Sequence, residues 1–160
     1  MSAAGARFFA LPMASMLIGA AISCGAAWAG TKPIDDTGTV TLQPTVGMRW
    51  QELSPRRRAS SLMEGTTRLR VRLNLQPWVG HTGRIYMVLP AQLPGSIEAT
   101  WTTTGRLQPG SVRAGSRTQV YAGPIAAAVL EDTLTLTLTV DGTRMLQAYN
   151  VFFRFEMDED

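Results

Sequence analysis

Polar and apolar residues alternate along most of this chain, the pattern of an extended strand with one buried face. The first long example spans residues 39–51, where every second position is apolar: Val40, Leu42, Pro44, Val46, Met48 and Trp50. Pro44 has no backbone N–H to donate, so this segment is predicted to be an edge strand or two strands interrupted there. A second example spans residues 67–76. Its predicted inward residues are Leu69, Val71, Leu73 and Leu75.

The clearest turn pattern follows a threonine-rich segment at residues 133–140. Threonine occupies every second position, and Asp141-Gly142 then favours a two-residue hairpin turn. We therefore expect this segment to pair with the returning segment 144–157, in which Phe155 and Met157 share one face with Val151 and Phe153. Earlier apolar residues of the returning segment have the opposite parity, which predicts a β-bulge near Tyr149-Asn150.

Seven or eight such strands, separated by turns and almost free of helical periodicity, predict an all-β fold. The expected architecture is an antiparallel β-sandwich, immunoglobulin-like in general shape. A small β-barrel is the alternative.

The first 29 residues have the three-part layout of a secretory signal peptide. A short positive start precedes an apolar run, and Ala27-Trp28-Ala29 offers a cleavage site before Gly30. A lipidated N-terminus at Cys24 is the alternative, because residues 21–24 loosely resemble a lipobox. The predicted organisation is a signal peptide at 1–29, a flexible leader at 30–37 and a single β-sandwich domain at 38–160. The mature protein would be periplasmic or at the cell surface.

The composition of the predicted mature chain narrows the classes of function. Its 14 basic and 12 acidic residues nearly balance, which does not suggest a nucleic-acid binder. The single cysteine of the chain, Cys24, lies in the predicted signal peptide, so the exported domain must be stabilised by packing without disulfides. No apolar stretch in the mature chain predicts a transmembrane span.

Three arginines on one strand are the strongest local feature. Arg68, Arg70 and Arg72 share the predicted outward face and follow one another at about 6.6 Å. Like charges at this spacing repel, so the face requires water, acidic neighbours or a bound anion. The simple interpretation is cross-strand pairing with glutamates at positions 98, 131 or 156. The alternative is a docking face for an acidic protein partner or an anionic envelope polymer.

The remaining candidate residues carry little chemistry. His81 is the only histidine, and with no Asp, Glu or Cys nearby in sequence it predicts neither a metal site nor a catalytic one. Trp78, in the same turn, is interpreted as a core residue or, in the alternative, as a ligand-binding aromatic together with His81. We expect no cofactor, no metal and no enzymatic activity.

The N-terminal alternating segment suggests a mechanism of assembly. Val40, Leu42 and Val46 could pack on their own domain, or the strand formed by residues 38–51 could be donated to a neighbour, as in strand-addition complexes. The sequence thus predicts an exported structural or assembly subunit of the bacterial envelope, similar to a surface-fibre subunit and capable of self-assembly. A periplasmic binding module for an anionic or sugar ligand is the alternative.

Overall fold

Two antiparallel sheets face each other in the computed structural model, which describes residues 30–43, 45–51, 61–91, 97–144 and 150–159. The strands are β1 (Thr31–Pro33), β2 (Val40–Thr41), β3 (Arg49–Trp50), β4 (Leu62–Asn74), β5 (Thr82–Leu89), β6 (Glu98–Thr103), β7 (Gly110–Arg113), β8 (Ser116–Pro124), β9 (Val129–Asp141) and β10 (Arg154–Glu159). The described part contains 3₁₀ turns at Gln76–Trp78 and Gly142–Arg144 but no α-helix.

The predicted antiparallel β-sandwich is confirmed. One sheet has the order β1-β10-β5-β8, and the other has the order β2-β4-β9-β6-β7 with β3 also paired to β4. The sheets do not close into a barrel, which excludes that alternative. There are more strands than the seven or eight expected, because the N-terminal segment contributes three pieces of two or three residues each.

Alternation builds the core between the sheets. The two longest strands, β4 and β9, pair without interruption from Leu62 opposite Asp141 to Asn74 opposite Val129. Apart from the half-buried Met63, their inward residues are buried, including the predicted Leu69, Val71 and Leu73 of β4. Leu75, just beyond the strand, is buried as well. The outward residues of β4 are exposed. This pattern places a regular row of polar side chains on the outer surface of the six-stranded sheet.

The hairpin predicted at Asp141-Gly142 is wrong. β9 already pairs with β4 on one side and β6 on the other, while β10 lies in the opposite sheet between β1 and β5. The backbone N–H of Gly142 instead donates to the carbonyl oxygen of Ser61 at 2.7 Å. Phe155 and Met157 are buried as predicted. Tyr149, at the predicted bulge, lies outside the described residues.

The N-terminal segment, defined here as residues 31–51, crosses from one sheet to the other. β1 pairs with β10, and Asp35 then forms a bridge with Asn74 before β2 pairs with β4. The residues predicted as a flexible leader, 30–37, therefore include an edge strand of the four-stranded sheet. The predicted signal peptide, with Cys24, lies outside the described residues.

Candidate interaction surface at the N-terminal edge

The N-terminal segment pairs with β4 in two pieces that are out of register. Val40 lies opposite Arg70, and Arg49 lies opposite Glu64. Nine positions along the segment therefore correspond to six along β4, leaving three extra residues between the pieces. The prediction of an interrupted strand is consistent with this arrangement, although Pro44 itself lies outside the described residues. An irregular edge of this kind forms fewer ladder hydrogen bonds than a continuous strand.

Successive side chains of a strand point to opposite faces of the sheet. Because the number of extra residues is odd, the even-numbered side chains of the segment lie on one face before the irregular stretch and on the other face after it. Before the irregular stretch, Val40 and Leu42 lie on the outer side and are 48% and 45% exposed. After it, Val46 and Met48 are half-buried against the core. The sequence prediction that all these residues share one buried face is therefore wrong for Val40 and Leu42.

Val46 and Met48 fit against a glycine of β4. A Cβ placed on Gly65 would lie 2.6 Å from both the Met48 sulfur and a Val46 methyl carbon. Gly65 is itself buried. The absence of a side chain at position 65 thus allows the second half of the segment to pack closely onto the sandwich.

Arg68, Arg70 and Arg72 project from the outer side of β4, as predicted, and form what we call the arginine face. The Arg72 Nε lies 3.3 Å from a Glu131 carboxylate oxygen. The other two predicted partners are engaged elsewhere, since Glu98 pairs with Arg113 and Glu156 with Arg117. Within the described residues, Arg68 and Arg70 form no ion pair.

The N-terminal segment places no acidic side chain directly opposite Arg68 or Arg70. Val40 is opposite Arg70 in register. The backbone N–H of Leu42 donates to the carbonyl oxygen of Arg68 at 2.9 Å, which places Leu42 opposite Arg68 in the same register. Five of the predicted partner residues therefore lie on one surface: Arg68, Arg70, Arg72, Val40 and Leu42. The sixth, Val46, packs against the core and does not belong to this surface.

Ile34 fixes the N-terminal segment near its start, where the segment leaves β1. Its side chain is buried in the core, and its backbone N–H donates to the carbonyl oxygen of Phe155 at 2.9 Å. The neighbouring Asp35 carbonyl accepts from the Asn74 N–H at the same distance. One buried side chain and two hydrogen bonds therefore join the segment to both sheets at the point where it crosses between them.

A charged cluster holds β1 against β10. Arg117 donates from both terminal nitrogens to the two Asp158 oxygens at 3.1 and 3.0 Å, and Thr31 donates to the same carboxylate at 2.7 Å. The guanidinium also lies over the Tyr86 ring, 4.3 Å from its centroid. Burial raises the pKa of Asp158, but the hydrogen bonds from Thr31 and Arg117 outweigh it and leave that pKa below its ordinary value.

Glu159 forms a second link in the same place. It accepts from the Lys32 ammonium at 2.8 Å and from the Trp78 indole N–H at 2.6 Å. The hydrogen bond from Lys32, followed by that from Trp78, lowers the pKa of Glu159. The ionised carboxylates of both residues therefore stabilise the pairing of β1 with β10.

Acid is expected to loosen this pairing. Asp158 and Glu159 have ordinary pKa values of 3.8 and 4.5, and both are lowered in the folded protein. Their stabilisation is therefore complete above about pH 5 and is lost as the pH falls through the folded-state pKa values. Asp36 has the opposite sign, because burial raises its pKa and it favours the folded state at low pH. Asp35, whose pKa is lowered by its hydrogen bonds from Thr37, acts in the same direction as Asp158 and Glu159. The thermal midpoint should therefore fall between pH 7 and pH 3, and a midpoint that rises would contradict this prediction.

The variant Arg117→Met removes the guanidinium group that pairs with Asp158 at 3.0 Å and with Glu156 at 3.6 Å. It should destabilise the protein by about 1 kcal/mol at pH 7, as expected for a partly exposed bidentate pair. Its thermal midpoint should also depend less steeply on pH below 5. An unchanged pH dependence would contradict the role assigned to this ion pair.

Trp78 and His81, the alternative ligand-binding pair, do not form an open site. Trp78 is buried and hydrogen-bonded to Glu159, which leaves its ring inside the sandwich. His81 is exposed. No group of three or more His, Cys, Asp or Glu in the described part of the chain could hold a metal ion. None of the helical segments described there is long and apolar enough to span a membrane.

Sequence reasoning missed the residues that fasten the N-terminal segment. Ile34 is the only aliphatic residue larger than alanine within 30–37, and this isolated apolar position was an available indication. Arg117 and Asp158 have no such pattern, because they are 41 residues apart and meet only through the pairing of β5 with both β8 and β10. Comparisons with family models, curated proteins and solved structures found no match.

Proposed function

We propose that this protein is an exported, non-enzymatic subunit of the bacterial envelope that joins a structural or assembly partner by β-strand addition. The observation that carries the proposal is the incomplete cover of one side of the sandwich. β2 and β3 together pair with four of the thirteen residues of β4, and an isolated bridge adds Asn74. Separate hydrogen bonds from the segment reach the backbone of Leu62, Arg68 and Arg72, so the cover is interrupted and irregular. On the same side, β1 pairs with three of the six residues of β10.

A continuous strand would pair with β4 in a single register, whereas the N-terminal segment changes register by three residues along it. An open groove of about 430 Å³ lies where the segment meets β4, lined by residues that include Trp50, Gln51 and Glu64. Extended peptides commonly bind by adding a strand to an incompletely protected sheet edge. The N-terminal segment would then act both as the cover of its own edge and as the strand donated to a neighbour.

A labelled peptide of residues 30–51 tests this proposal. The double variant Val40→Cys/Arg70→Cys places two cysteines directly opposite each other, at a Cα separation suited to a disulfide. The reduced protein should take up the peptide, and the oxidised protein, whose own segment is tethered to β4, should not. Fluorescence anisotropy measures uptake. Equal uptake in both states, or none in the reduced protein, would exclude strand addition at this edge.

A second candidate is a periplasmic binding module for an anionic ligand. The observation in its favour is that Arg68 and Arg70 have no ion-pair partner among the described residues. A bound anion such as polyphosphate should raise the thermal midpoint of the native protein and not that of Arg68→Gln/Arg70→Gln. The buried position of Trp78 does not favour a sugar ligand at the turn that contains His81.

A further inference from the structure

We infer that the strand added to β4 comes from a partner protein and carries acidic side chains at the alternate positions facing Arg68 and Arg70. The inference rests on the strand addition proposed above. It follows from the mismatch between the arginine face and the segment that covers it in this chain.

The mismatch is visible position by position. On the edge of β4 that β2 covers, Val40 lies opposite Arg70, and Leu42 lies opposite Arg68 in the same register. On the other side of β4, the residues opposite these arginines are Thr135 for Arg68 and Thr133 for Arg70. None of the residues directly opposite Arg68 and Arg70 on the two neighbouring strands is therefore acidic, and the nearest glutamate of β9, Glu131, pairs with Arg72.

Arg72 shows how the same face accommodates an acid. It lies opposite Glu131 of β9, and their side chains are within 3.3 Å. On its other side, Gly38 leaves room for the arginine stem, since a Cβ on Gly38 would lie 2.8 Å from the Arg72 Cδ. An acidic partner strand would therefore pair with Arg70 or Arg68 first, because Arg72 already has Glu131 as its partner.

A strand with Asp or Glu at two alternate positions would match this arrangement. Alternate residues of an extended chain repeat at the same 6.6 Å or so as the arginines of β4. Each directly opposed pair of unlike charges stabilises a sheet modestly, and two such pairs correspond to about a twofold to thirtyfold gain in affinity. A second copy of this chain brings the same Val40 and Leu42, so it gains nothing from the arginines.

Peptides based on residues 30–51 test the inference in the full-length protein. One peptide carries Val40→Glu and Leu42→Glu, and its matched control carries Val40→Gln and Leu42→Gln, which keeps the shape without the charge. We expect the glutamate peptide to bind about two to thirty times more tightly than the glutamine peptide at low salt. High salt should reduce the difference, because both pairs are solvent-exposed.

Protein variants locate the preference. Arg68→Gln/Arg70→Gln should abolish the difference between the two peptides. Arg113→Gln, on the far edge of the same sheet, should preserve it. Equal binding of the two peptides to the native protein would overturn the acidic preference while leaving strand addition intact. Failure of these peptides and of the unmodified one to bind would remove both proposals.

Discussion

Replacing Asp132 with alanine is expected to destabilise the protein by about 3–5 kcal/mol, the largest effect of any single polar substitution considered in this fold. Asp132 is one of two buried polar residues in the described part of the chain, the other being Thr67. Hydrogen bonds to a charged group contribute about 1.5–3 kcal/mol each, and a donor left buried without a partner adds its desolvation cost.

The Asp132 carboxyl group holds the end of β6 and the loop that follows it. One oxygen accepts from the Leu107 backbone N–H at 2.8 Å and from the Thr103 hydroxyl at 3.0 Å. The other accepts from the Thr133 N–H at 2.6 Å. Gly105 passes so close that an added Cβ would lie 2.6 Å from the carboxyl group. Truncation would leave the Leu107 N–H, which is buried, without this acceptor.

Two further variants distinguish the stabilisation that comes from the hydrogen bonds of the carboxyl group from the stabilisation that comes from general packing. Asp132→Asn retains one oxygen acceptor and should cost less than alanine. Thr103→Val removes a single donor and should cost about 1 kcal/mol. Urea denaturation gives all three free energies of unfolding. A cost below about 1 kcal/mol for Asp132→Ala would show that the loop is held by other contacts.

Replacing Ile34 with alanine is expected to cost about 2–4 kcal/mol, the usual range for truncating a buried isoleucine. Its side chain is 5% exposed, and it is the one fully buried apolar residue of the N-terminal segment within the described residues. Val40→Ala is the matched control, because Val40 is nearly half exposed and its truncation should cost less than about 0.5 kcal/mol.

The part of the fold that the Ile34→Ala variant destabilises is more informative than the size of the destabilisation. If Ile34 fastens the segment, amide hydrogen exchange should accelerate at Asn74, whose N–H donates to Asp35, before it accelerates at residues of β9 such as Leu136. Uptake of the labelled peptide should increase in the same variant. Uniform acceleration across both sheets would instead indicate that Ile34 supports the whole core and not the segment alone.

The sequence predicted which face of a sheet a residue occupies, but it did not predict which strands pair with each other. Alternation correctly assigned Arg68, Arg70 and Arg72 to the outer side of β4 and Leu69, Val71 and Leu73 to the core, because a strand repeats every two residues whatever lies beside it. The same pattern does not specify which strands pair. The Asp141-Gly142 turn suggested a hairpin, but both edges of β9 are taken by β4 and β6.

The candidate site was predicted in part for the same reason. The arginines and the segment that meets them were identified from their patterns, but the side on which Val40 lies depends on the register with β4. That register changes by three residues before Arg49, and hydropathy does not record it. Ile34 was overlooked because a single apolar residue has no period.

The three extra residues between Leu42 and Arg49 have a consequence for how this edge could change. They leave slack for the first half of the segment to slide by one residue along β4 while Arg49 stays opposite Glu64. Such a slip would turn Val40 and Leu42 toward the interior and bring their threonine neighbours beside the guanidinium groups. A shift of about 3.3 Å along one short strand, without any substitution, therefore decides whether this border of the molecule is apolar or hydroxylated.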